Sequence, residues 1–307
     1  MFEKTLIQVA ITLLFIVPGF LLQKFKKLHE DHLSSLSTVL IYVCSPCLII
    51  TSFFSLEFSV EMLAKTGWFC LITFVLQAIF IAIVLLFVKD KSNACARVVS
   101  IGGVLGNVGF FGLPLIKAIF PENPEVACYS VVYIFSMNVL VFTVGAFCLT
   151  GEKKYVSIKS AGLNPSTLAF LVGIIIYVLR LQSYVPSGLN VSLTALGATS
   201  TALCMIILGA RLATVNFKEL FTNKYAYIAS FLKLLVFPLF CFACVYFLPF
   251  DLPFKGSILM LSGAPCASVL VGLAEIHKSE TSLSATCVLL STVCCIVTLP
   301  LLSLLIV

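Results

Sequence analysis

No aspartate, glutamate or histidine falls in the interior of any long apolar run of this sequence. The thirteen acidic residues are Glu3, Glu30, Asp31, Glu57, Glu61, Asp90, Glu122, Glu125, Glu152, Glu219, Asp251, Glu275 and Glu280, all in polar stretches or at the edges of apolar ones. His29, His32 and His277 lie in basic connections. Proton-driven carriers hold an ionisable relay inside the bilayer, so a mechanism built on a buried carboxylate pair is not expected. A Gly-x-x-x-x-Gly-Lys-Ser/Thr loop is also missing, which leaves no phosphate cradle for ATP. No Asp pair, Ser–His arrangement or ligand-spaced metal cluster marks a membrane enzyme, and no cofactor is expected. A cleavable leader is not evident: only Lys4 precedes the first apolar run, and Lys24-Phe25-Lys26-Lys27 follows it in place of a small-residue cleavage site. That run is expected to be retained as a span.

What remains is mostly hydrocarbon. The chain is 61% hydrophobic and 10% charged, and apolar runs of spanning length recur from end to end. At about 20 residues per span, the runs define ten spans: 5–22, 35–54, 64–88, 98–120, 126–150, 165–182, 189–209, 225–248, 256–275 and 282–306. The short connections between them leave no room for a soluble domain, so residues 1–307 form a single transmembrane unit. Basic residues alternate strictly. Lys24, Lys26, Lys27, Lys89, Lys91, Arg97, Lys153, Lys154, Lys159, Arg211, Lys218, Lys224 and Lys278 follow odd-numbered spans. Only Lys4, Lys65, Arg180 and Lys255 lie on the other side. The positive-inside rule therefore predicts cytoplasmic basic loops and both termini outside. The net charge of +6 is then a topology signal, and no nucleic-acid partner is expected.

Spans 4 and 9 are interrupted. The first reads Gly106-Asn107-Val108-Gly109-Phe110-Phe111-Gly112-Leu113-Pro114, and the second Ser262-Gly263-Ala264-Pro265-Cys266-Ala267-Ser268. Proline removes a donor and clashes with the preceding turn, so each predicts a helix broken near its middle. The spacing from Pro114 to Pro265 carries spans 1–5 onto spans 6–10. Because five is odd, residues 1–150 and 165–307 read as two inverted five-helix repeats. Half-helices starting after Pro114 and Pro265 would point two positive helix ends at the midplane, a site for an anion. The preceding carbonyl ends, near Phe111 and Ser262, are the alternative place for a cation such as sodium. Asn107, Ser262, Ser268 and, from span 5, Asn138 add side-chain polarity. Glycine and proline that merely permit tight packing and kinks are common in membrane helices; the matched positions favour a site. Lys117, one turn beyond Pro114, either snorkels outward or guides an anion. Lys233 either reaches the cytoplasmic edge or stabilises carbonyls of a broken helix. Cys44-Ser45-Pro46-Cys47 has C-x-x-C spacing, but it lies in an apolar span without a histidine nearby, where cysteine behaves as a small hydrophobe.

Gly106-Asn107-x-Gly109-x-x-Gly112-Leu113-Pro114-Leu115 resembles the fourth-helix signature of the auxin efflux carrier family, which includes plant PIN carriers and bacterial malate and malonate permeases. Ala264-Pro265-Cys266-Ala267, with Ser291-Thr292 and Thr298-Leu299-Pro300 in span 10, resembles the second-half signature. Ser45-Pro46-Cys47-Leu48-Ile49, Asn164-Pro165 and the Lys233-to-Pro238 segment fit as well. The resemblance implies an all-α polytopic membrane protein with ten transmembrane helices in two inverted repeats and crossed, broken helices 4 and 9. It also implies a mobile transport domain that moves as an elevator against a scaffold of spans 1, 2, 6 and 7, an architecture of the sodium/proton-antiporter and bile-acid-symporter kind. The implied scaffold is a homodimer, and the implied substrate a small organic anion. Thr201 stands where a proline is expected, and the short Gly151–Asn164 connection points to a short-form, bacterial-type member.

The expected function is thus a permease of the cell membrane moving a carboxylate, with Na+ or H+ as candidate coupling ions. Its substrate site is expected at Asn107, Gly109, Gly112, Pro114, Asn138, Ser262, Gly263, Pro265, Cys266 and Ser268. The rival is a sodium-coupled organic-anion symporter of the bile-acid type, whose second broken helix carries an acidic sodium ligand; here no acid precedes Glu275 in span 9. A non-transporting membrane sensor would need a signalling domain for which the chain has no residues to spare.

Overall fold

In the computed structural model of the chain, residues 1–88, 93–215, 220 and 222–306 are described, although nothing is said of the side chains of residues 30 and 31. Lys89, Lys91 and Lys218 of the basic-loop pattern lie outside the described residues. Helix is the only regular secondary structure among the described residues, which otherwise hold turns, irregular stretches and one isolated β-bridge. Among the described residues, eight helices are long and apolar enough to cross a bilayer: α1 (Phe2–Lys24), α2 (His32–Thr51), α3 (Val60–Phe87), α6 (Glu125–Thr150), α7 (Lys153–Val178), α8 (Ser187–Thr214), α9 (Lys224–Tyr246) and α12 (Thr281–Ser303). Where two further spans were expected, the chain forms two pairs of short helices. These are α4 (Ala94–Gly102) with α5 (Val108–Ile119), and α10 (Leu252–Ser262) with α11 (Val269–His277). None of these four is long enough to cross alone.

The position of the first break corrects the reading from proline. Pro114 sits inside α5, and the non-helical stretch lies upstream at 103–107. The reason is a π-turn. Residues 108–112 are wound one residue wider than an α-helix, so that the Leu113 N–H bonds the Val108 carbonyl. The extra residue accommodates the proline that follows, which brings no donor and would crowd the preceding turn. The same device precedes Pro46, where Ser45 N–H reaches Leu40, and Pro238, where Phe237 N–H reaches Leu232. Pro265, by contrast, lies within a true break. The breaks align on their helix ends: Gly102 stands to Gly106 as Ser262 stands to Cys266.

The helices pack in two sets that also touch each other. In the first, α8 lies along α1 and α2, and α7 lies along α2. Two glycines bring α1 and α8 into backbone contact: a Cβ on Gly19 would meet the Ile206 carbonyl, and one on Gly209 the Ile16 carbonyl. The second group holds α3 to α6 and α9 to α12. Partners repeat across the chain: α3 packs on α6 as α9 packs on α12, and α1 packs on α12 as α7 packs on α6. Local sequence starts several helical segments, among them the second part of α7 (Pro165–Val178) and α10. Asn164 accepts from Thr167 N–H at 2.9 Å ahead of Pro165, and Asp251 from Phe254 N–H at 3.0 Å ahead of Pro253.

Candidate functional site

The two breaks meet. Gly106 and Cys266 form an antiparallel bridge. Asn107 N–H donates to the Pro265 carbonyl at 2.7 Å, and Ala267 N–H to the Leu105 carbonyl at 2.9 Å. A bridge this short satisfies backbone groups that hydrocarbon would leave bare. Ser291 of α12 adds an acceptor for Cys266 N–H at 3.0 Å, the Cys266 thiol donates to the Gly102 carbonyl at 3.1 Å, and Ser130 Oγ of α6 donates to the Val108 carbonyl at 3.1 Å. Every residue from Ile101 to Gly109 and from Leu261 to Ala267 is buried.

The second halves start directly beyond the bridge, at Val108 and Val269, with Asn107 and Ser268 in the N-cap positions. Neither side chain caps its helix. Instead Asn107 Nδ2 lies 3.8 Å from the Cys204 sulfur of α8, and the Ser268 hydroxyl 3.9 Å from the same sulfur. The amides of Gly109 and Phe110, and those of Ser268 and Val269, have no acceptor among the described residues. These are the orphan donors expected at helix starts, brought together from both halves of the chain.

The carbonyl side of the crossover is occupied by Lys233. This side chain of α9 is fully buried, its ammonium donates to the Ser262 carbonyl at 2.5 Å, and it lies 4.9 Å from the centre of the Phe237 ring. Of the two fates read for Lys233, the structure selects the carbonyls of the broken helix. The cation end of the first half is Gly102 rather than Phe111, again because the break precedes the π-turn.

The remaining expected residues have packing or hydrogen-bonding partners of their own. Asn138 is buried in α6, with Nδ2 3.5 Å from the Asn164 side chain within α7, and it makes no hydrogen bond to either break. Gly109 and Gly112 are packing positions on α5: a Cβ at Gly109 would come within 2.9 Å of Ile134, and one at Gly112 within 2.8 Å of Leu261. Gly263 ends α10 against Leu302, and the Ser262 hydroxyl turns back to Leu259. Lys117 is exposed on α5, as both of its readings require. Cys204 was not anticipated. A single cysteine in an apolar helix carries no signal, and only tertiary packing places it between Asn107 and Ser268.

Eight apolar spans and a buried pairing of two broken segments are the features of a multi-pass membrane protein whose irregular backbone sits at its centre. A family profile described as membrane transport protein matches residues 5–162 and 153–303, and the chain belongs to that family, the family of the auxin efflux carriers. It is 28% identical over 299 residues to a protein of Methanothermobacter thermautotrophicus named "Uncharacterized transporter", covering 94% of each chain. It is 24% identical over 294 residues to "Uncharacterized transporter MJ1031" of Methanocaldococcus jannaschii, covering 92% of this chain and 93% of the other. The protein is accordingly a membrane transporter by family.

Proposed function

We propose that this transporter is a secondary carrier that moves a small organic anion, a carboxylate, across the cell membrane by alternating access. One observation carries the reading: two helix starts meet with unpaired amides at Gly109, Phe110, Ser268 and Val269, beside the uncapping side chains of Asn107 and Ser268. Each helix start carries roughly half a positive charge. A carboxylate offers two oxygens with about four acceptor positions, enough to engage donors from both halves at once. These donors have no protein acceptor among the described residues, and unpaired amides at a helix start are suited to an anion.

The repeated packing partners and the common alignment of the two breaks support ten spans in two inverted repeats, and the basic loops of the sequence support both termini outside. In this reading α1, α2, α7 and α8 are the scaffold, and the remaining helices carry the crossover as an elevator. Cys204 then marks where the moving site touches the scaffold.

The test is uptake of labelled malate, malonate and indole-acetate into proteoliposomes of the purified protein, with the matching uncharged amides as competitors. Saturable uptake of at least one acid that its amide does not inhibit is the expected result. Saturable uptake of a neutral or cationic solute, with none of the acids transported, would refute an anion site.

A further inference from the structure

Near the C-terminal end of α6, Thr143, Val144 and Phe147 stay partly exposed. With Lys153 and Val156 of α7 they line a mostly apolar cleft of about 490 Å³. The chain doubles back to build it. Gly151 turns with a φ of 74°, and Ser157 N–H donates to the Phe142 carbonyl at 3.0 Å, which lays residues 153–157 beside the end of α6. The charges at the mouth favour an anion. Lys153 is exposed and makes no ion pair among the described residues, whereas Glu152, the acid next to it, is paired with Lys154 at 2.5 Å. Lys159 adds a positive charge in the same exposed segment. The last carbonyls of α6, the negative end of its dipole, are already engaged: Arg97 Nε donates to Cys148 at 3.0 Å and Ser279 Oγ to Leu149 at 2.7 Å. Val156 and Ile158 are 40% and 80% exposed, apolar surface that a bilayer covers. A second cleft, of about 380 Å³ between α3 and α6, runs past Gly67, Phe74, Phe135 and Val139, and no charged residue lines it.

We propose that the cleft at Phe147 is a binding site for an anionic phospholipid, with an acyl chain between Val144, Phe147 and Val156 and the phosphate on Lys153. An apolar slot with a cation at its mouth fits an amphiphile that joins hydrocarbon to phosphate, and basic pockets beside membrane helices take such headgroups. A soluble phosphate ester brings no chain for the slot. A phosphatidylcholine brings a quaternary ammonium that Lys153 and Lys159 repel. In the orientation proposed above, the cleft opens to the cytoplasmic leaflet. It also straddles the connection between α6 and α7, which belong to different packing sets, so the bound lipid ties the two sets together at this edge. Nothing in this site depends on what the carrier moves, and its test uses no substrate.

The experiment takes the delipidated full chain in detergent and adds phosphatidylglycerol, phosphatidylcholine or glycerol 3-phosphate at equal concentration. Native mass spectrometry counts retained lipid, and thermal unfolding reads the stabilisation. The wild type should retain phosphatidylglycerol in preference to phosphatidylcholine and gain at least about 3 °C in Tm from it, as a ligand well above its Kd gives; glycerol 3-phosphate should have no effect. Lys153→Gln should weaken retention by roughly ten-fold or more, the loss expected for a bond to a charged group. Val144→Trp fills the cleft and should do the same with every lysine in place. Two controls should keep the preference: Lys26→Gln, in another basic loop, and Gly67→Leu in the second cleft, where an added Cβ meets nothing. Equal retention and Tm in the two lipids for the wild type would overturn the proposal. An undiminished preference in Lys153→Gln would do so as well, and this exposed position can be changed without disturbing the core. Equal losses in Lys26→Gln and Lys153→Gln, or stabilisation by glycerol 3-phosphate matching that of the lipid, would reduce the effect to surface charge and overturn the site.

Discussion

Replacing Asn107 by alanine separates binding from folding at the crossover. The backbone N–H that bonds Pro265 is untouched by the change, so the bridge between the breaks survives. The residue is 4% exposed, and the one hydrogen bond of its side chain among the described residues is a long N–H···S approach of 3.8 Å to Cys204. Even a good neutral hydrogen bond contributes only about 1 kcal/mol net, and thiol sulfur is a weak acceptor. The folded state should therefore lose less than about 1 kcal/mol, or no more than roughly 2–4 °C in Tm. A hydrogen bond to a charged ligand is stronger, about 1.5–3 kcal/mol, which converts to roughly a ten- to hundred-fold loss in affinity. Asn107→Asp keeps the shape but adds a negative charge beside the helix starts, and should lose more than the alanine variant. The assay is initial uptake of whichever labelled acid the wild type transports, with Km and Tm measured on the same preparations. A wild-type Km in a folded Asn107→Ala carrier would refute the assignment. So would a Tm fall of roughly 10 °C, since the residue would then be structural.

Ser291→Ala should leave the buried Cys266 N–H without an acceptor, costing about 1–3 kcal/mol; thermal unfolding should show the loss, and Ser291→Thr should recover most of it. Breaking the part-exposed Arg211–Glu275 pair by Glu275→Gln should cost under about 1 kcal/mol and leave substantial uptake; complete loss of transport in a folded protein would place this acid in the mechanism. Single reporter cysteines at Lys26 and Lys154 in a cysteine-free background should be labelled only from the cytoplasm, and labelling by an impermeant reagent in intact cells would overturn the orientation and the inverted repeat with it.

Hydropathy alone located the membrane-spanning helices, because each one is a local run of apolar side chains long enough to match a bilayer. The basic loops set an expected orientation through the positive-inside rule, and glycine with proline marked two spans that could not be continuous. A family signature around Asn107 and Pro114 was equally legible, since it is a contiguous string. The exact site was not. Pro114 looks like a helix breaker in sequence, yet the π-turn over 108–112 absorbs it, and the chain opens instead at 103–107, where the bridge to Cys266 replaces the missing helical bonds. Asn138 and Asn107 are equally polar residues in apolar segments. Only packing sends the first to Asn164 and the second to the crossover. The partners of Lys233, Cys204 and Ser291 come from residues distant in sequence, so no local pattern names them. The sequence by itself determined which segments enter the membrane and which of them must break, because burial of apolar length and the loss of a proline donor are local costs. The tertiary structure decided where the breaks meet, which donors remain unpaired and what cation sits on their carbonyls, because those depend on helices remote in the chain being brought within hydrogen-bonding distance.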